Sequence, residues 1–260
     1  MVSVIIPAWG DTPWLADAVA SVHRQTYGAI EMVVAAPPEN GPFTALAARM
    51  EGVRRSHGDY VIFVDADDWL DDHAVADMVA GIGDADVLCT GLSRGSEVRC
   101  PSSDIWACGP GDVFNAMCGK LFRREVLTGL ELDLSVRMGE DLMFVAQALH
   151  RAHGIVTANV AVYHYRDNPD SITHRQDGRS RVADLTRVGA ILRKAMPEPR
   201  YDDFHDRVTR DAMLLWIRHR VGDRDLWREL RGRLKGGLLA DPRHGLLKKG
   251  ALFCASCLFD

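Results

Sequence analysis

The chain has 260 residues, 47% of them hydrophobic, with a formal net charge of -5 and a mean hydropathy of -0.10, enough apolar material for one sizeable core with a helical appendage. No uninterrupted apolar run approaches the roughly 20 residues needed to cross a bilayer, and the opening MVSVIIPAWG holds no basic leader, so neither a membrane span nor a signal peptide is expected. Charge is uneven: residues 1–169 hold 12 basic against 23 acidic side chains, net -11, whereas residues 170–260 hold 19 against 13, net +6.

The basic tail has little aromatic interleaving and no nucleic-acid motif, so it points away from nucleic acid and toward a membrane surface or a solvated helical face. Six cysteines without regular spacing argue for reduced thiols in a cytoplasm, and Cys254-x-x-Cys257 lacks the second pair that a zinc site takes.

Residues 2–6 form a near-continuous apolar run closed by Pro7, as expected of a central parallel strand. Thr12 before Pro13 reads as a helix cap, and Leu15, Ala18, Val19 and Val22 recur at helical spacing to about residue 25. A second strand covers 30–35 and is followed by the polar, proline-rich stretch 35–41. The next run, 61–64, is apolar, largely β-branched and ends abruptly in acids. On an extended chain Asp65 and Asp67 share one face and Ala66 takes the other. Two carboxylates at the carboxyl end of a parallel strand stand where open α/β sheets bind ligands, and their hard oxygens suit Mg2+ or Mn2+ on a diphosphate. Taken alone, such a turn is equally well explained as a solvated loop, which is how Asp71 and Asp72 read.

A helix is expected over 71–82 and a strand over 86–91, whereas 92–118 shows no usable period. From Gly139 a helix begins whose Leu142, Val145, Ala146 and Leu149 make an apolar stripe. Asp141 falls in its first turn, where the helix dipole favours an ionised carboxylate; the two acids Glu140 and Asp141 equally serve to complement that dipole. Residues 156–165 read as a strand ending in Tyr163-His164-Tyr165-Arg166, and from Arg179 onward the spacing is helical, broken by Pro197 and Pro199.

With the acidic turn and the downstream Arg137-Met138-Gly139-Glu140-Asp141-Leu142-Met143-Phe144 both in view, the chain resembles the family 2 glycosyltransferases over about residues 2–174. The resemblance implies an α/β GT-A fold, a Rossmann-like mixed sheet flanked by helices over residues 1–174, with a helical C-terminal appendage over 175–260. It further implies inverting transfer from a nucleotide-diphosphate sugar, most simply a UDP-sugar, to a saccharide or lipid-linked saccharide hydroxyl in bacterial surface polysaccharide or glycolipid assembly. Asp65 and Asp67 would hold Mn2+ or Mg2+, with His164 a third candidate ligand; otherwise His164 is a packed structural residue. Asp141 takes the place of the family's general base, and Glu140 that of a residue orienting the acceptor or bracing the loop.

On the donor side the family's Pro-x-Tyr-Asn becomes Pro7-Ala8-Trp9-Gly10, while Ser21 and Gln25-Thr26-Tyr27 are kept. Arg49 matches the arginine of an Ala-Arg-Asn-x-Gly segment, and Asp65-Ala66 line the same subsite. Lys120, in Cys118-Gly119-Lys120-Leu121-Phe122-Arg123-Arg124-Glu125, would sit near phosphate or make a surface salt bridge. Relatives follow strand two with acids that read uracil and then a helix and strand; here that piece is missing, and Glu39 either substitutes for the lost acid or is a surface loop residue. The missing strand lies at the sheet edge in the family, so the sheet can survive its loss. The eroded base pocket raises the rival reading of a degenerate, noncatalytic partner of a polysaccharide assembly complex. A nucleotidyltransferase would need a Gly- and basic-rich loop after strand one, which is absent. The basic, apolar C-terminus from Lys248 suits peripheral contact with anionic membrane at the cytoplasmic face, or a buried helix.

Overall fold

The structure, a computed structural model, describes residues 1–10, 12–101, 115–168 and 177–234, together with 248, 249, 251, 252 and 255. The chain separates into two units, residues 1–169 and 170–260. The expected boundary after residue 174, Cys254, Cys257 and most of residues 235–260 lie outside the described residues.

Unit one is built on one sheet in the order β2 (Ile30–Ala35), β1 (Val2–Pro7), β3 (Tyr60–Phe63), β7 (Lys120–Arg123), β5 (Val87–Arg94), β8 (Ile155–His164), β4 (Trp69–Leu70), with β6 (Glu97–Arg99) paired to β5. The run after Met1 becomes β1 (Val2–Pro7), buried along its whole length because it has a parallel neighbour on each side, β2 (Ile30–Ala35) and β3 (Tyr60–Phe63). Val64 continues that ladder by donating its N–H to the Ile5 carbonyl at 3.0 Å, so the acids begin where pairing with β1 ends. Helix α1 (Leu15–His23) follows β1, and α2 (Ala45–Arg55) alone joins β2 to β3. The sheet therefore ends on β2, as the missing helix and strand implied. Its outer edge is partly closed by Arg55, whose Nη1 donates to the Val34 carbonyl at 3.3 Å. Helix α2 lies so close on β1 that a Cβ at Gly52 would stand 2.3 Å from Ile5 Cγ2.

Beyond β3 come β4 (Trp69–Leu70), α3 (Ala74–Ile82), the hairpin β5 (Val87–Arg94) with β6 (Glu97–Arg99), β7 (Lys120–Arg123), α4 (Glu140–Arg151) and β8 (Ile155–His164). β7 inserts antiparallel between β3 and β5, which makes the sheet mixed. Phe63 on β3, Phe122 on β7 and Phe144 on α4 meet edge to face, with centroids 5.5 to 6.1 Å apart. Through that cluster the core fixes the mutual position of the acidic turn, Lys120 and the start of α4. Arg124, just past β7, donates to the Ser56 hydroxyl at 2.9 Å and the Val53 carbonyl at 3.2 Å, tying β7 to the end of α2.

Two local expectations differ. Thr12 does not cap α1: its hydroxyl donates to the Trp9 carbonyl at 3.5 Å and the helix starts only at Leu15, after a turn closed by Leu15 N–H on the Thr12 carbonyl. Helix α3 starts three residues after the expected Asp71, because Asp71 and Asp72 are spent on other partners, His164 and Arg24.

Unit two holds α5 (Gly178–Ala195), α6 (Asp202–Arg218) and α7 (Arg224–Arg233). Asp177 and Asp223 cap α5 and α7 by accepting from the N–H groups of Ser180 and Leu226, each at 3.0 Å. Buried Asp206 on α6 accepts from Arg193 on α5 at 3.3 Å, and Trp216 packs on Trp227 at 5.1 Å, joining α6 to α7. Among the described residues no helix is long and apolar enough to cross a membrane.

Candidate active site

Three elements deliver the charged groups of the site. The end of β3 supplies Asp65, which half-emerges from the sheet; the first turn of α4 supplies Asp141; and the middle of α2 supplies Arg49, whose side chain is 5% exposed. Helix α2 is set by Thr44, whose hydroxyl accepts the Ala47 N–H at 3.1 Å and donates to the Leu134 carbonyl at 2.6 Å. Helix α4 starts from Gly139 in the left-handed region at φ 81°, a conformation glycine adopts without the Cβ clash. Arg49 Nη2 donates to Asp65 Oδ1 at 2.5 Å and Nη1 to Asp141 Oδ1 at 3.3 Å, so one guanidinium bridges the strand-end acid and the helix-start acid. Asp65 and Asp141 keep 28% and 31% of their side-chain surface, so both also face solvent.

Burial works against the charge on Arg49, but Asp65 and Asp141 outweigh it and hold the guanidinium well above its usual range. Burial raises the pKa of Asp141, and Arg49 opposes that rise. Glu140, beside it, is pushed up to about 8 by burial and by the Asp141 charge. The helix start thus carries two carboxyls that burial pushes up, and at Asp141 the Arg49 cation works against that rise. Replacing Arg49 by Met should cost about 3 kcal/mol of unfolding free energy, because it leaves two partly desolvated carboxylates with no cation. Denaturant unfolding checks this, and a change within about 0.5 kcal/mol would remove Arg49 from the centre of the site.

The sequence-derived candidates divide into groups. Asp65, Arg49 and Asp141 are in direct contact; Asp67 and Ala66 share the turn with Asp65, and Ala66 packs against the core. Asp67 Oδ2 accepts from Asn168 Nδ2 at 2.9 Å, and among the described residues its Oδ1 accepts nothing. Lys120 is not at the surface: it is 0% exposed, with Nζ donating to the Ala116 carbonyl at 2.6 Å, and its charge also favours ionised Asp141. Pro7 is buried at the end of β1, while half-buried Trp9 meets the ring of Phe43 edge-on at 5.5 Å. Glu39 is exposed.

His164 stacks on Trp69 with ring centroids 5.2 Å apart, and its two nitrogens lie 2.6 Å from Ser93 Oγ and 2.7 Å from Asp71 Oδ1. Reaching a metal would require it to release Asp71. Among the described residues no three His, Cys, Asp or Glu side chains converge on one point.

Sequence reading passed over Asp68, Tyr163, Arg166 and Asn168 as site residues. Asp68 is fully buried, and burial with the neighbouring Asp65 charge pushes its carboxyl up to about 8. The Tyr163 hydroxyl donates to Asp68 Oδ2 and accepts the Asp65 N–H at 3.1 Å. Arg166 lies over the rings of Trp14 and Trp69 at 4.3 and 4.8 Å.

A sequence model of the family described as Glycosyl transferase family 2 matches residues 41–107, which include α2, β3 and the acidic turn. The chain is similar to EpsH, a Bacillus subtilis (strain 168) protein named as a glycosyltransferase, at 27% identity over 149 residues, 50% of this chain and 43% of EpsH. It is also similar to EpsJ of the same organism, at 23% identity over 222 residues, 66% of this chain and 63% of EpsJ. The chain thus spans about half the length of the curated relatives it matches. In fold it is similar to S. aureus TarS 1-349 in complex with UDP-GlcNAc, with TM-score 0.61 at 16% identity over 83% of this chain and 72% of that one. The mannosyltransferase PcManGT from Pyrobaculum calidifontis, in complex with GDP-Man and Mn2+, matches with TM-score 0.51 at 15% identity over 99% of this chain and 79% of that one. The curled mixed sheet flanked by helices is the GT-A fold.

Proposed function

We propose that the chain is a family 2 glycosyltransferase that transfers a sugar, with inversion, from a nucleotide-diphosphate donor to a hydroxyl of a saccharide or lipid-linked saccharide. Bacterial surface polysaccharide or glycolipid assembly is the setting that fits the similarity to EpsH and EpsJ. The observation that carries the reading is the Arg49 bridge, which joins an acidic turn suited to a diphosphate to a carboxylate in the first turn of α4.

The donor set suits Mg2+ or Mn2+, because Asp67 presents a carboxylate oxygen without a protein partner among the described residues and Asp65 keeps Oδ2 outside the Arg49 bond, where it meets the weak Cys118 thiol donor at 3.5 Å. Such ions are commonly held by one or two carboxylates plus substrate phosphates and water, so two aspartates suffice. Asp65 and Asp67 would hold such an ion, whose positive charge would offset that of the leaving diphosphate. Asp141 receives the proton of the acceptor hydroxyl as its oxygen bonds to the anomeric carbon and the bond from that carbon to the diphosphate oxygen breaks. Arg49 favours the ionised form of Asp141 against burial, and Glu140, carrying its proton, orients the acceptor by donating a hydrogen bond. Trp9 and Phe43 offer the base aromatic surface in place of the uracil-reading acid. The basic C-terminal segment would rest on anionic membrane at the cytoplasmic face, where a lipid-linked acceptor is met.

Nucleotide release across a panel of donors tests the proposal. A base held by stacking and shape, with exposed Glu39 as the nearest acid in sequence, should give less than about tenfold preference for uridine over guanosine diphosphate, a difference near 1.4 kcal/mol. A hundredfold preference would assign the lost acid's role to another residue. Binding of nucleotides without release from any donor would favour a noncatalytic partner.

A further inference from the structure

Residues 65–68 leave the sheet as a tight turn closed by the Asp68 N–H on the Asp65 carbonyl at 3.1 Å, and a turn of that kind next to solvent has no intrinsic reason to hold its carboxylates still. Here it is gripped from one side. The hydroxyl of Tyr163, on β8, accepts the Asp65 N–H at 3.1 Å and donates to Asp68 Oδ2, while Asp68 Oδ1 accepts the Arg166 N–H at 2.8 Å. Arg166 Nε donates to the Asp67 carbonyl at 2.8 Å and Asn168 Nδ2 to Asp67 Oδ2 at 2.9 Å. β4 also returns to β8, pairing Trp69 with His164 and Leu70 with Tyr163.

Packing alone does not account for this chemistry. Tyr163 and Asp68 are both 0% exposed, and burying a hydroxyl and a carboxyl is unfavourable unless each is bonded, so an apolar pair would fill the same space more cheaply. What the polar pair adds is direction: it fixes the backbone of Asp65 and the reach of Asp67, and leaves Asp67 Oδ1 without a protein partner among the described residues.

We propose that the end of β8 is the template for the diphosphate- and metal-binding turn, and that Tyr163 and Asp68 are a positioning pair that sets Asp65 and Asp67 for a divalent cation. The inference rests on the reading of Asp65 and Asp67 given under Proposed function. Groups that orient metal ligands are typically worth about 10- to 100-fold in metal affinity, and the pair should show this without touching substrate.

The test is calorimetry of the full chain with uridine and guanosine diphosphate, in Mn2+ and in EDTA, with free Mn2+ followed by electron paramagnetic resonance. Tyr163→Phe, which removes only the hydroxyl, is expected to weaken Mn2+-dependent binding at least about tenfold and to leave binding in EDTA within about twofold. Asp68→Asn should show the same split, and the double variant should be no worse than the stronger single, since both break one chain of bonds. Asp68→Asn is isosteric and carries the test alone if Tyr163→Phe does not fold. A lower melting temperature with Mn2+-dependent affinity within about twofold of wild type would make the pair merely structural and overturn the inference. Wild-type protein that binds neither diphosphate, with or without Mn2+, would overturn the proposed function and the inference with it; normal wild-type binding with unchanged variants would overturn the inference alone.

Discussion

Asp67→Ala is expected to abolish donor turnover, and a chelator should do the same to the wild-type protein. Asp67 is half-buried on the acidic turn and is held there by a single side-chain bond from Asn168, so the substitution removes a ligand oxygen without opening the core. Asp65 cannot replace it, because its Oδ1 is already engaged by Arg49 at 2.5 Å. Without a cation the negative charge that develops on the departing diphosphate, added to the two that the donor already carries, would be left to solvent. Turnover that survives chelation, or an Asp67→Ala protein that still releases nucleotide, would end the metal reading.

Asp141→Asn should lower kcat by at least about 10² with melting temperature and nucleotide binding nearly unchanged. The amide keeps the shape of the carboxylate, and its oxygen can still accept the Met117 N–H that now lies 3.3 Å from Oδ2. Arg49 retains its shorter bond, to Asp65, so the bridge loses its weaker arm and not its anchor. What disappears is the site for the acceptor's proton. Single-turnover measurements with saturating donor separate that step from binding, and a rate within about twofold of wild type would place the base elsewhere.

Much of the nucleotide half was legible because its strands are wholly buried and announce themselves. Val2, Val4, Ile5 and Ile6 form an unbroken apolar run, and the run before Asp65 stops at charge. The shortened connection between β2 and β3 was legible as simple length. Helix α4 was legible through its stripe, which the structure buries from Leu142 to Leu149. The central strand β7 was not read as a strand, since Lys120-Leu121-Phe122-Arg123 neither alternates nor looks buried at its ends, yet Lys120 is fully enclosed. Strand β4, with two residues, is below the length at which any period exists.

At the site, a run of acids conceals differences that only tertiary structure creates. Asp65, Asp67 and Asp68 look alike in sequence, but one is bridged to Arg49, one presents an oxygen to solvent and one is buried under Tyr163. Strand alternation, which pairs Asp65 with Asp67 on one face, is no guide here, because residues 65–68 form a tight turn closed by the Asp68 N–H on the Asp65 carbonyl. His164 drew attention as the titratable residue between two tyrosines, whereas the hydroxyl of Tyr163 next to it is the group that reaches the turn.

The insertion of β7 between β3 and β5 also bears on how the chain emerges from the ribosome. The parallel group β2-β1-β3 can assemble once residues up to Phe63 are out, but the far edge of β3 and the near edge of β5 stay open until Lys120–Arg123 arrive. Open strand edges on a partly made domain invite pairing with the wrong chain, so the nascent protein passes through an aggregation-prone interval that its length of intervening sequence prolongs. The acidic turn waits longer still, since Tyr163, Arg166 and Asn168 are made roughly a hundred residues after it. The earlier-made part of unit one therefore holds Asp65, Asp67 and Asp68, and the last-made part gives them their geometry.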